Sequence, residues 1–290
     1  MALSLSELHP DFGAEVENVD LGLSLKDSQR DSIAAALEQY GILLFRKQLL
    51  TEDQQIALAK RFGTLDIGLK KASGSPTRLR YEELLDMSNV GMDNAVTPRD
   101  HPKIVGNIAN QLWHSDSSFQ KPATSYSMLL AIVIPPSVGC TEFADCRVAY
   151  ETLSADEQQE LRGLVVRHNA LYSRITLGDE KYTAEQRETF PSVEWPIIRL
   201  QKSTGRNALF IGAHAFEVMG MTVAEGRMLL MNLLEHATRP DKIYRHEWRA
   251  NDLIMWDNRV VLHRGRRWNL AERRELRRVS VLEKLGEEDE

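Results

Sequence analysis

The stretch LWHSDSSF, residues 112–119, sets an imidazole and a carboxylate two positions apart. Alternate side chains of a strand point the same way, so His114 and Asp116 would share a face. Two ligands make half a metal site. The third candidate is His263, in WDNRVVLHRGRRW, directly after the strand-like DLIMWDN. Two histidines and one carboxylate on one side of an ion leave the opposite positions open. That is the donor set of non-heme Fe(II) oxygenases, where substrate and O2 must both reach the metal. His9, His101, His168, His236 and His246 lack a partner at ligand spacing and read as surface or satisfied core residues. His214, in ALFIGAHA, would share a strand face with Phe210 and Gly212. It either lines a cavity and touches substrate or is a buried, hydrogen-bonded histidine.

A basic run, AERRELRRVSV (271–281), follows the third ligand. Such runs are usually solvated faces. The strand period sorts this one differently: Arg274, Leu276 and Arg278 fall on one face, Glu275, Arg277 and Val279 on the other. If the first set faces inward, two guanidiniums leave water, which is costly unless anions neutralise them. Guanidinium forks suit carboxylates through paired hydrogen bonds, so a site with two buried arginines wants two anionic ligands.

An ordered frame must carry these residues. Capping boxes mark helix starts at Thr51 with Gln54, Ser154 with Glu157, and Thr222 with Glu225. The helix from Thr51 stops at Gly63, and an earlier helix around SQRDSIAAALEQYG leads to Gly41. In the helix from Thr222, Met228, Met231 and Leu234 form a stripe that reads as core packing. Strands are expected at 42–46, 126–134, 208–215, 252–258 and 276–284, each rich in β-branched or aromatic residues and bounded by turn formers. Strands at the centre, with helices before and between them, imply a mainly β sandwich or barrel with flanking helices, one domain over 1–290. Residues 64–103 are polar and punctuated by Gly, Ser and Pro, either an active-site lid or a surface insertion. The acidic tail at 286–290 reads as disordered.

Length of 290, apolar content of 42% and charged content of 27% describe a soluble globular protein with a large core. A net charge of −6 supplies no basic field for nucleic acid or an anionic membrane. The N-terminus lacks a signal-peptide pattern, and no apolar run approaches the roughly 20 residues that span a bilayer. Cys140 and Cys146 form neither a disulfide framework nor a zinc pattern and suit a reducing cytoplasm.

The ordered set His114-x-Asp116, Thr141, His263, Arg274, with 24, 121 and ten residues between its parts, resembles the taurine dioxygenase family of Fe(II)/2-oxoglutarate dioxygenases. NQLWHSDSSFQ, MWDNR, LHRGRRW, AERRELRRVS and FIGAHA are most similar to its 2,4-dichlorophenoxyacetate dioxygenase branch, from about residue 8 to 285. The resemblance implies a double-stranded β-helix (jelly-roll) core in which His114, Asp116 and His263 hold Fe(II). It implies that 2-oxoglutarate chelates the metal, with its far carboxylate on Arg274 and the Thr141 hydroxyl. Arg278 would take the carboxylate of the second substrate, with Asn110 nearby and Lys71 assisting from the candidate lid. Ala95 stands where phenoxyacetate-type relatives tend to carry a basic residue, so the resemblance supplies no cation there.

The implied reaction uses O2 and 2-oxoglutarate, releases succinate and CO2, and hydroxylates the carbon next to the ether oxygen of an aryloxyalkanoate. The product collapses to a phenol and glyoxylate, or pyruvate from an aryloxypropionate. The implied partner is a small carboxylate, and relatives suggest a homodimer or tetramer. The same chemistry on a sulfonate or sulfate ester is an alternative, since Arg278 suits those anions too. A non-catalytic metal-binding β-barrel or a zinc hydrolase would leave the arginine pair without a use.

Overall fold

The computed structural model describes residues 3–67, 77–137, 139–178, 182–183, 188 and 190–284. Lys71, the stretch 68–76 of the candidate lid, and the acidic tail lie outside the described residues.

The strand Thr124–Val133 is apolar on both faces, so both faces must be covered. Met128 and Leu130 point to one side and pack with Phe45, Met255 and Val279 beneath helices Asp27–Tyr40 and Glu52–Lys60, which add Ile33, Leu37, Ile56 and Ala59. Leu129 and Ala131 point to the other side and meet Phe143, Trp256, Leu262 and Leu276. A sheet is thus sandwiched between helices and a second β layer. Each large side chain buried there, such as Trp256 or Phe143, contributes roughly 1.5–3 kcal/mol.

The main sheet has seven strands, in the order Ser4–Glu7, Ala14–Glu17, Ile42–Phe45, Leu253–Asp257, Thr124–Val133, Glu275–Leu282 and Leu85–Asp86. It is antiparallel except where Ala14–Glu17 runs beside Ile42–Phe45. A three-stranded antiparallel sheet, Ile243–His246, Thr141–Asp145 and Val261–Gly265, lies across the core. Two smaller sheets complete the β structure: Ala215–Val218, Val165–His168 and Val193–Pro196, and Ile198–Gln201 with Arg206–Leu209. All three capping boxes form; Gln54 N donates to Thr51 Oγ1 at 3.2 Å while Thr51 N donates to Gln54 Oε1 at 2.9 Å. Gly41 ends its helix at φ 74°, where a Cβ would meet Arg147 Nη2 at 3.0 Å.

Three expectations are corrected. Helix Val223–Ala237 packs through Gly226, Leu230, Leu233 and Ala237, leaving Met228 and Met231 53% and 62% exposed. Gly226 is the cause: a Cβ there would sit 3.1 Å from Val218 N, so this face approaches closely and the methionines turn outward. The expected strand at 208–215 breaks after Leu209 and resumes at Ala215. Gly212, at φ 126°, passes so near His114 that a Cβ would lie 3.1 Å from Trp113 O. His214 therefore shares no strand face with Phe210. His114 and Asp116 also lack a regular strand: His114 forms an isolated bridge, and Ser117 adopts φ 49° in the turn that follows.

In the segment 64–103, Leu65 bridges to Val281, Leu85–Asp86 pairs with Arg278 and Arg277, and Pro102–Ile108 is helical. Among the described residues no helix is long and apolar enough to cross a membrane.

Candidate active site

The two histidines meet through their backbones. His114 N donates to His263 O at 3.0 Å and His263 N to His114 O at 2.9 Å, so the bridge sets the rings side by side with centroids 4.2 Å apart. Each Nε2 lies 3.8 Å from Asp116 Oδ1, and donor atoms of all three residues fall within 4.8 Å of one another. His114 Nδ1 donates to Leu112 O at 2.8 Å, which fixes the tautomer and presents the Nε2 lone pair to the cluster. Burial lowers the pKa of both histidines, keeping them neutral. For Asp116 burial acts upward, but the Arg278 guanidinium, with the Ser127 hydrogen bond, holds the carboxyl well below the usual carboxylate range. Two neutral imidazoles and an ionised carboxylate converging in a buried space fit a divalent metal.

A polar network aims the carboxylate. Asp116 Oδ2 accepts from Ser127 Oγ at 2.7 Å, and Ser127 Oγ accepts from Asn258 Nδ2 at 2.9 Å. Asn258 Oδ1 accepts both Asp116 N, at 3.0 Å, and Trp256 Nε1, at 2.8 Å. Arg278 Nη1 donates to Asp116 Oδ1.

A cavity of about 140 Å³ opens beside the cluster. His114, His263, Arg274, Arg278, Thr141 and Asn110 all line it, so the structure gathers these predicted residues in one place. Trp256, Trp268, Leu129, Ile104 and Leu276 supply apolar wall. The strand period sorted the arginines correctly, because Arg277 turns to the opposite side and donates to Gln55 Oε1 and Leu50 O.

Arg274 has no carboxylate partner among the described residues; its Nη2 donates to Gly139 O at 3.2 Å and its Nε is buried without a partner. Burial pushes its pKa from 12.5 down to about 10, so it stays charged at neutral pH while seeking an anion. Thr141 Oγ1 accepts from Trp248 Nε1 at 2.9 Å, which leaves the hydroxyl proton to donate into the cavity.

His214 stands apart from that lining. It packs edge-on against His114, centroids 6.1 Å apart, and against Phe119 at 4.8 Å. Its Nδ1 is buried without a hydrogen-bond partner, whereas other histidines not assigned to the metal find ordinary ones: His168 with Ser118, His246 with Tyr244 and Asp252, His236 with Thr152. Trp248, Ser127 and Asn258 escaped sequence reasoning, because each acts by bonding another site residue and carries no spacing signature of its own.

A family profile described as "Taurine catabolism dioxygenase TauD, TfdA family" matches residues 4–280. The chain is 52% identical over 283 residues to an alpha-ketoglutarate-dependent 2,4-dichlorophenoxyacetate dioxygenase of Cupriavidus pinatubonensis, covering 98% of this chain and 99% of the relative. It is 33% identical to an (S)-phenoxypropionate/alpha-ketoglutarate-dioxygenase of Sphingobium herbicidovorans, covering 94% and 92%. Among solved structures, AAD-2 in complex with Mn(II) and N-oxalylglycine superposes with a TM-score of 0.90 at 36% identity, covering 97% of each chain. Sequence, site and fold agree across nearly the full length, and the chain belongs to the TauD/TfdA family of dioxygenases.

Proposed function

We propose that this enzyme is an Fe(II)- and 2-oxoglutarate-dependent dioxygenase that hydroxylates the carbon next to the ether oxygen of an aryloxyalkanoate, giving a phenol with glyoxylate or pyruvate, succinate and CO2. One observation carries the reading: the two histidines of a His/Asp/His cluster line one cavity together with two arginines, in a chain 52% identical to a 2,4-dichlorophenoxyacetate dioxygenase.

His114, Asp116 and His263 would hold the iron, which supplies binding and activation of O2 and 2-oxoglutarate. Arg274 and the Thr141 hydroxyl would bind the far carboxylate of 2-oxoglutarate, supplying the anionic partner that Arg274 does not find among the described residues. Arg278 would anchor the second substrate's carboxylate and so fix which carbon faces the metal, with Asn110 lining the same space. His214 would act through the His114 ring it packs against rather than by touching substrate. Lys71 stays a candidate substrate contact on the resemblance alone.

The antiparallel sheets facing one another across Leu129, Phe143 and Trp256 support a jelly-roll core in a single domain spanning 1–290. Two buried free thiols, Cys140 and Cys146, support a cytoplasmic location. We carry the homo-oligomer, a dimer or tetramer, as a proposal on the family resemblance alone.

The test is anaerobic loading with Fe(II) and 2-oxoglutarate, recording the visible spectrum before and after 2,4-dichlorophenoxyacetate, followed by succinate release in air. A charge-transfer band perturbed by the aryloxyacetate, with coupled succinate, supports the reading. A response to taurine or an alkyl sulfate instead would move the substrate to the sulfonates or sulfate esters, and no band with iron bound would remove the dioxygenase assignment. His114→Ala or Asp116→Ala should abolish turnover in a folded protein.

A further inference from the structure

The loop between strands Val261–Gly265 and Glu275–Leu282 has no regular structure, yet it carries Arg266, Trp268, Leu270 and Arg274, all of which line the cavity. Something must hold it. Arg274 cannot be held by a salt bridge, for it has none among the described residues; its side chain there donates to Gly139 O, at 3.2 Å. Its backbone must therefore place it.

That backbone is clasped by one side chain. Asn89, fully buried, donates from Nδ2 to Leu270 O at 2.9 Å and to Glu272 O at 2.7 Å, and accepts at Oδ1 from Arg274 N at 2.9 Å. Two carbonyls face the amide nitrogen and one N–H faces the oxygen, so the amide orientation is unambiguous. Asn89 N also donates to Arg274 O at 3.3 Å, while Asn89 O accepts from Thr97 N and Thr97 Oγ1. The ladder that pairs Leu85 and Asp86 with Arg278 and Arg277 continues through Met87 N to Leu276 O and ends at this clasp. The Asn89 side-chain amide and backbone N–H are thereby spent on fixing the segment that carries Arg274 into the strand Glu275–Leu282, while its carbonyl is held by Thr97. Aspartate would turn an oxygen toward two carbonyls, and alanine would leave three buried backbone groups unpaired.

We propose that Asn89 is the positioning residue for Arg274, setting selectivity for a 2-oxo acid with a far carboxylate. The inference rests on the proposed role of Arg274. Asn89 also borders the cavity, but its side-chain amide is bonded to the backbone of 270–274, so we assign it a role exerted through the arginine.

The experiment compares 2-oxoglutarate with 2-oxobutanoate, which lacks the far carboxylate, in wild type, Asn89→Ala, Arg274→Ala and the double variant. Asn89→Ala should cut kcat/KM for 2-oxoglutarate by about tenfold or more, mainly through KM, with the 2-oxobutanoate value and the KM for the aryloxyacetate moving about threefold or less. In the Arg274→Ala background the same substitution should add less than about twofold, the signature of two residues acting as one unit. Calorimetric 2-oxoglutarate binding to Mn(II)-loaded protein should weaken in parallel, a readout independent of turnover. Should Asn89→Ala not fold, Asn89→Ser, which keeps a small uncharged polar group and adds no oxygen–oxygen repulsion that its hydroxyl cannot turn away from, carries the same comparison. Equal losses with both 2-oxo acids, or additive losses in the double variant, would overturn the proposal as a merely structural effect. Wild type that consumes no 2-oxoglutarate would sink the functional reading and this inference together; normal wild-type turnover with an unaltered Asn89→Ala would overturn this inference alone.

Discussion

The proposed role of Arg274 as a charge held for a ligand predicts that replacing it with methionine separates what it costs the fold from what it gives the enzyme. Burial takes its pKa from 12.5 to about 10, with no carboxylate among the described residues to compensate. At about 1.4 kcal/mol per pH unit, that is on the order of 3 kcal/mol of unfavourable charge burial in the ligand-free protein. Methionine keeps the stem and sheds the charge, and isosteric apolar replacement of buried ions is often neutral or stabilising by about 1–4 kcal/mol. Arg274→Met should therefore leave the ligand-free protein as stable as wild type or raise its urea midpoint without changing the slope. Loss of a buried charged contact to the far carboxylate should weaken 2-oxoglutarate by about 2–5 kcal/mol, roughly 30- to 5,000-fold in KM. Urea titration followed by fluorescence and succinate release at graded 2-oxoglutarate read the two arms. A variant destabilised in the absence of ligand, with an unchanged KM, would refute the reasoning on both counts.

Arg278→Met should behave oppositely: it leaves Asp116 buried without its cation, so stability should fall by about 3–5 kcal/mol in urea titration. In whatever fraction folds, the aryloxyacetate should weaken more than 2-oxoglutarate, and equal losses would undo the division of labour. Ser127→Ala removes the 2.7 Å bond to Asp116 Oδ2 and should cost about 10- to 100-fold in metal affinity, measured by competition with a chromophoric chelator; unchanged affinity would deny that Ser127 orients the ligand. His168 gives the pH dependence: burial drops its pKa from 6.5 to about 3, so the unfolded chain takes up a proton that the fold refuses. Its contribution is thus intact above pH 6.5 and eroded as pH falls toward 3, by about 2 kcal/mol at around pH 5. Buried His114, His214 and His263 act with the same sign, so His168→Gln should reduce the acid-side loss by about that amount rather than abolish it, read from urea midpoints near pH 7 and pH 5.

Much of the frame was legible because its signals are local. Thr51, Ser154 and Thr222 each announce a helix through a bond three residues away, and the strands at 42–46 and 252–258 declare themselves by composition. The period of two even separated Arg274 and Arg278 from Arg277. What misled was contact between distant segments. Nothing near Met228 reveals that Gly226 lets the helix lean on Val218, and nothing near Phe210 reveals that Gly212 must slip past Trp113 O. That His114, Asp116 and His263 would come together was readable from residue type and order. The residues that aim it, Ser127 and Asn258, are ordinary polar residues whose meaning lies in a partner far away in sequence, 131 positions apart for their own bond.

The paired backbone bonds between His114 and His263 make the two imidazoles one prefabricated chelate arm. Its bite is set by peptide geometry, which side-chain repacking elsewhere alters little. An ion of different radius would have to be accommodated almost entirely by the carboxylate arm, whose seat is the Ser127–Asn258 pair. Evolutionary drift in metal preference would then accumulate at positions 127 and 258, while the histidines themselves stayed fixed.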